Sequence, residues 1–257
     1  DFITNILERM CTISMKKGFR ITLLSIATLC LTILPAFTYT SQAATVAPLS
    51  PHTPMSSDGK IFVPKVKYTK DAIVKKNEGI SPAYQGTGET LSTTNTSSNK
   101  KVKPAKSGTG DIGIESVIGT DSRTRVSPAT SFPYRAIVHI ESDIGGCTGW
   151  LIGPHTVATA GHCVYDPASG SWASYATITP GRDGSSKPYG SAYAVTFYAP
   201  SGWTSSGNTN YDYAAIKLDR DIGNSTGWLG YRWTSGSLNG TAETISGYPG
   251  DKTYGTQ

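Results

Sequence analysis

The chain has 257 residues, of which 37% are hydrophobic, 28 are glycine, 15 proline and four cysteine. Its net charge of +5 is unevenly spread: from Ser116 onward nine basic residues face ten acidic ones, a net of −1, so the excess of positive charge lies in the first 115 residues. A nucleic-acid partner is thereby excluded, because the basicity belongs to a part of the chain read below as removable.

Residues 1–14 are an upstream extension. Met15-Lys16-Lys17-Gly18-Phe19-Arg20 is a short basic start, followed by the apolar run "ITLLSIATLCLTILPAF" and the small-residue stretch "TSQAA". That order predicts a signal peptide over 15–43 with cleavage after Ala43. The run is a little short for a membrane span and a cleavage site follows it, so no stable membrane anchor is expected. Residues 44–115 are rich in Ser, Thr, Lys and Pro, with strand-like alternation only in "KIFVPKVKY" and "AIVKK". They read as a pro-segment, or as a disordered or weakly structured leader.

At Ser116, just after Glu115, the character changes to short alternating runs separated by Gly, Pro, Asn, Asp and Ser. Six strands are predicted, over 134–142, 147–153, 156–160, 174–180, 192–199 and 213–219. Nothing has helical period over a useful length. The fold class is therefore all-β, an antiparallel barrel or sandwich spanning 116–235. A further run, "TAETISGYPG", follows a looser stretch, so 236–257 reads as a linker and the start of a second domain.

Cys11 and Cys30 precede the predicted signal cleavage, leaving Cys147 and Cys163. An even pair in an exported chain predicts one disulfide. The alternative is a zinc site using both cysteines with His155 or His162, but the spacing of structural zinc motifs is absent.

His162 follows the apolar strand "TVATA" in Ala160-Gly161-His162-Cys163. A rigid element positions it, Gly161 permits a tight turn, and Cys163 would staple that turn to 147–153. A general base needs this preorganisation and a carboxylate on its second ring nitrogen. Asp212, which ends a polar loop and opens the strand in "NYDYAAIKL", is the candidate orienter. Asp166, Asp183, Asp219 and Asp221 fall in solvated turns. His139 alternates with Ala136, Val138 and Ile140 and is expected to face outward. His155 lies in the turn "GPHT" and His52 in the pro-segment.

"GCTGWLIGPHTVATAGHC" and "NYDYAAIKL" resemble the histidine and aspartate motifs of chymotrypsin-like serine endopeptidases. "VIGTDSRTRV", "YRAIVHI", "PSGW", "IGNSTG" and "ISGYPGDKTYGTQ" narrow the resemblance to the secreted glutamyl endopeptidases of Bacillus-type bacteria. The resemblance covers Ser116 to Gln257. It implies a chymotrypsin-like fold whose first barrel is essentially complete and whose second is only begun. It also implies His162 and Asp212 as catalytic residues, polypeptide substrates, preference for glutamate, and processing between Glu115 and Ser116. In that family the nucleophile sits in a Gly-Asn-Ser-Gly-like motif on the second barrel, which is expected beyond Gln257. The chain as it stands is then expected to be inactive. Gly223-Asn224-Ser225-Thr226-Gly227 begins like the motif but has Thr226 where a glycine is needed, and reads as a turn; Ser237 reads as linker.

No cofactor is required by such chemistry, and no loop gathers enough oxygen ligands to assign a calcium site. The expected form is a secreted monomer whose partners are its substrates and its own pro-segment. A non-catalytic secreted β-barrel binding module, or a peptidase of broader or trypsin-like specificity, are the competing readings.

Overall fold

The computed structural model describes residues 49–63, 81–91, 120–232 and 236–257. The signal peptide, Ala43, the "AIVKK" run, Glu115 and Ser116 lie outside the described residues. Among the described residues nine strands form, with two single-turn helices: β1 (Pro54–Ser56), β2 (Ile137–Ser142), β3 (Gly145–Gly153), β4 (Thr156–Thr159), β5 (Tyr165–Asp166), β6 (Ser171–Trp172), β7 (Ala176–Pro180), β8 (Ala192–Pro200), α1 (Ser201–Thr204), β9 (Ala214–Leu218) and α2 (Gly223–Thr226). Among the described residues no helix is long and apolar enough to cross a membrane.

Six of the strands close into an antiparallel barrel, in the order β7-β2-β3-β4-β9-β8, with β8 returning to β7. These are the six predicted from alternation, with ends moved by one to three residues. At the start of the first, Tyr134–Ala136 form a 3₁₀ turn. The alternating apolar positions supply the interior. Val138, Ile140, Leu151, Val157, Ile178 and Ile216 are completely buried and belong to one core cluster. Burying each aliphatic side chain of this kind is worth about 1.5–3 kcal/mol relative to exposure. The β5–β6 ribbon stands apart from the barrel sheet, pairing Tyr165 with Trp172 and Asp166 with Ser171.

His139 departs from expectation. It was expected on an outward face of its strand, yet its exposure is only 4%. The outer face of β2 is covered by residues after Ser246: the rings of Tyr248 and Tyr254 each meet the imidazole edge-on at 5.2 Å. The Arg182 guanidinium lies 3.3 Å from its Nδ1 and 4.6 Å from the centre of the Tyr254 ring. Alternation separates the two faces of a strand but carries no information on what later packs over them. Burial, with Arg182 beside it, lowers the His139 pKa to about 4. The run 241–250 forms no strand of its own; it is fastened by the Tyr248 amide, which donates to Thr148 Oγ1 at 2.8 Å.

The N-terminal stretches carry more structure than their composition suggests. β1 extends the barrel sheet by pairing with β8, and Ser81 and Tyr84 bridge to Tyr231 and Trp228. "PMS" has no alternation to betray a strand; its partner supplies the pairing.

Candidate active site

The barrel brings two distant segments together through one ladder. β4 and β9 pair antiparallel from Thr156 opposite Lys217 to Thr159 opposite Ala214. The chain therefore leaves β4 and enters β9 at the same end. Just past Thr159 comes a 3₁₀ turn over Gly161–Cys163, which carries His162. Just before Ala214 a second 3₁₀ turn, Thr209–Tyr211, ends on Asp212.

The two side chains meet in a two-point contact. His162 Nδ1 lies 2.8 Å from Asp212 Oδ2, and the His162 main-chain N–H donates to Asp212 Oδ1 at 2.8 Å. A carboxylate only accepts, so Nδ1 carries a proton, and in the neutral imidazole that leaves the lone pair on Nε2. With one oxygen on the ring and the other on the same residue's backbone, the carboxylate fixes the imidazole's direction as well as its tautomer. The Asp212 side chain is 24% exposed and that of His162 49%. The aspartate is screened while the ring stays open to a reactant.

Neighbours enforce this approach. A Cβ on Gly161 would lie 2.8 Å from Trp203 Cδ1 and 2.9 Å from Asp212 Oδ1, so only glycine lets the carboxylate and the indole come so close. Trp203, on α1, is buried and anchors its Nε1–H on the Tyr165 carbonyl at 3.1 Å. Sequence reading missed Trp203 as a wall of the site, although "PSGW" held it in plain view; the missing signal was its contact with Gly161. Cys147 and Cys163 are joined, S–S 2.05 Å, tying the His162 turn to β3. Ligand atoms of Cys147, His162 and Cys163 lie within 4.8 Å of one another, but sulfurs bonded to each other are not the thiolates a zinc site requires.

Other candidates lie elsewhere. His155 Nδ1 contacts Asp221 Oδ1 at 2.7 Å. His52 Nδ1 contacts the Tyr213 hydroxyl at 2.9 Å. Asp166 accepts from the amides of Ala168 and Ser169, Asp183 pairs with Arg125, and Asp219 accepts from the Tyr193 amide. Ser225 lies in α2, and Ser237 Oγ accepts from the Asn239 amide. Among the described residues, both hydrogen bonds of His162 run to Asp212.

A family model described as trypsin matches residues 122–257. The chain is 51% identical over 246 residues to the glutamyl endopeptidase of Bacillus licheniformis, covering 95% of this chain and 73% of that protein. It is 43% identical over 235 residues to a Bacillus subtilis protein called an extracellular metalloprotease, covering 89% and 71%. Among solved structures, a Glu endopeptidase in complex with MPD is 42% identical with a TM-score of 0.43, over 44% of this chain and 53% of that one. The protease Anisep from Arthrobacter nicotinovorans is 28% identical with a TM-score of 0.33, over 36% and 47%. The chain spans about half the length of these solved structures. With more than half of its residues inside the family model and half of its aligned positions identical to a relative of which it covers 73%, the chain belongs to the trypsin-like serine proteases.

Proposed function

We propose that this chain is the front part of a secreted serine endopeptidase precursor that cleaves peptide bonds after glutamate. The two-point contact between His162 and Asp212 is the observation that carries the reading. In the proposed reaction His162 Nε2 takes the proton of a serine hydroxyl as that oxygen attacks the substrate carbonyl. Asp212 keeps the ring in the productive tautomer and stabilises the imidazolium without taking its proton. The imidazolium then protonates the leaving amine, and water repeats the sequence on the acyl-enzyme. The serine that supplies this hydroxyl is not assigned to a residue of this chain, which spans 73% of the Bacillus licheniformis protein. No cofactor takes part.

Glutamate preference is supported by the 51% identity to that glutamyl endopeptidase. Export is supported by the apolar run before Ala43, by the cysteine pair and by the extracellular relative from Bacillus subtilis. Processing after Glu115, leaving Ser116 as the new terminus, is the step glutamate preference would perform, by this enzyme or by a similar one.

The test is to express the chain with its downstream coding sequence and assay peptide substrates differing only at the residue before the scissile bond. The expected result is a burst of acyl-enzyme, turnover with Glu far above Lys, and inactivation by a serine-directed organophosphate. Activity that survives His162→Ala, or that a chelator abolishes while the organophosphate leaves it intact, would overturn the assignment.

A further inference from the structure

The stretch Gly223-Asn224-Ser225-Thr226-Gly227, which imitates a nucleophile motif without being one, has an occupant. The amide of Thr87 donates to the Asn224 carbonyl at 3.0 Å and that of Gly88 to the Ser225 carbonyl at 2.8 Å. Tyr84 and Trp228 exchange main-chain hydrogen bonds at 3.0 and 2.9 Å, with their rings 4.4 Å apart. Between them the backbones touch at glycines: a Cβ on Gly86 would lie 2.3 Å from the Gly227 nitrogen, and one on Gly227 would lie 2.3 Å from the Tyr84 carbonyl oxygen. Arg135 sews the edges together, its guanidinium donating to the carbonyls of Gln85, Thr130 and Thr226. Each side of this contact is shaped for the other.

A second contact lies on β8. That strand is nine residues long, but its pairing with β7 uses only Ala192 and Tyr193. With β9 on one edge, the other edge of its second half is taken by β1: Pro54 opposite Pro200, Met55 opposite Ala199, Ser56 opposite Tyr198. The amides of Ser201 and Gly202 then donate to the carbonyls of Thr53 and Pro51, each at 2.8 Å. His52 meets Tyr211 edge-on at 5.0 Å and reaches the Tyr213 hydroxyl, so it touches both residues that flank Asp212.

We infer that residues 50–57 and 81–91 form a two-part ligand of the barrel, an added strand plus a glycine-keyed latch, which stays bound after the chain between Leu91 and Ser116 is severed. Strand addition supplies main-chain affinity, and joining two weak contacts on one chain makes the second nearly intramolecular. The pro-segment is thus a retained partner of the barrel, seated one residue to either side of the candidate orienter. This rests on the peptidase reading only for the event that severs the chain in nature; nothing measured below is peptidase activity, so the two can fail separately.

The test inserts a recognition sequence for a specific viral protease between Lys100 and Lys101 of the full chain and cuts it there. The N-terminal fragment is expected to co-elute with the barrel in gel filtration at micromolar concentration. Gly86→Val, which changes only the ligand, is expected to weaken retention about a hundredfold. On the uncut chain, hydrogen exchange at the Gly88 and Trp228 amides should accelerate in Gly86→Val, while Ile140 and Ile178 in the barrel stay protected. Separate elution of the two pieces of the cut wild-type chain would overturn the proposal. So would unchanged exchange at Gly88 and Trp228 in the variant, even if the cut chain precipitates.

Discussion

The β4–β9 ladder has a histidine–aspartate pair at each end. His162 and Asp212 sit beyond the Thr159–Ala214 end, His155 and Asp221 beyond the Thr156–Lys217 end. The Nδ1-to-carboxylate distances are 2.8 and 2.7 Å, so distance alone does not tell the two apart. The surroundings do. Asp212 uses its second oxygen on the His162 backbone and is walled by Trp203 and the turn at Gly161, whereas the Asp221 side chain is 58% exposed and that of His155 45%. The His162–Asp212 contact is thus fixed at two points and partly screened, whereas the His155–Asp221 contact lies in solvent, where such contacts contribute little.

The largest expected difference between the two ends is kinetic. In the full-length protein, Asp212→Asn should lower kcat by about 10⁴ by presenting the wrong tautomer, while Asp221→Asn should leave kcat within twofold; peptide hydrolysis rates decide. Next comes the covalent tie that only the first end possesses. Replacing Cys147 and Cys163 together by serine should lower unfolding free energy by about 3 kcal/mol, measured in urea, since the bond closes a loop with a sequence separation of 16.

The glycines beside each pair should also diverge. Gly161→Ala pushes a methyl against Trp203 and Asp212, and should destabilise the fold by roughly 1–3 kcal/mol and depress kcat more than KM. Gly153→Ala meets only Thr156, at 3.9 Å, and should be near neutral. A third histidine sharpens the contrast through pH. Because the folded-state pKa of His139 is lowered to about 4, the unfolded chain binds the proton first. Stability is then full above about pH 6.5 and falls as pH drops toward 4, by up to roughly 3 kcal/mol. His139→Gln should remove that part of the acid slope in denaturation curves. The smallest effect belongs to the exposed pair: His155→Ala should change stability by no more than about 0.5 kcal/mol.

What could be read from the chain divides along physical lines. Alternation announced all six barrel strands, because each has one face in the core. The context of His162 and the polar-to-apolar step at Asp212 were legible for a similar reason, since a rigid strand end next to a turn is written locally. Relations made by packing were not. The burial of His139 depends on Tyr248 and Tyr254, more than a hundred residues away, and the pairing of His155 with Asp221 depends on the β4–β9 register. β1 escaped notice because "PMS" is a strand only by virtue of β8, and nothing in the sequence at 223–227 hints at the segment it holds.

The end of β8 has a consequence for how the protein behaves in concentrated solution. Wherever the segment around β1 is absent, the Phe197 carbonyl and the Ser201 and Gly202 amides lose their partners together with the edge from Tyr198 to Pro200, and Pro200 has no N–H with which to recruit a foreign strand. Loss of the added strand therefore uncovers a short edge that is interrupted by a proline, a poor template for pairing with a second molecule.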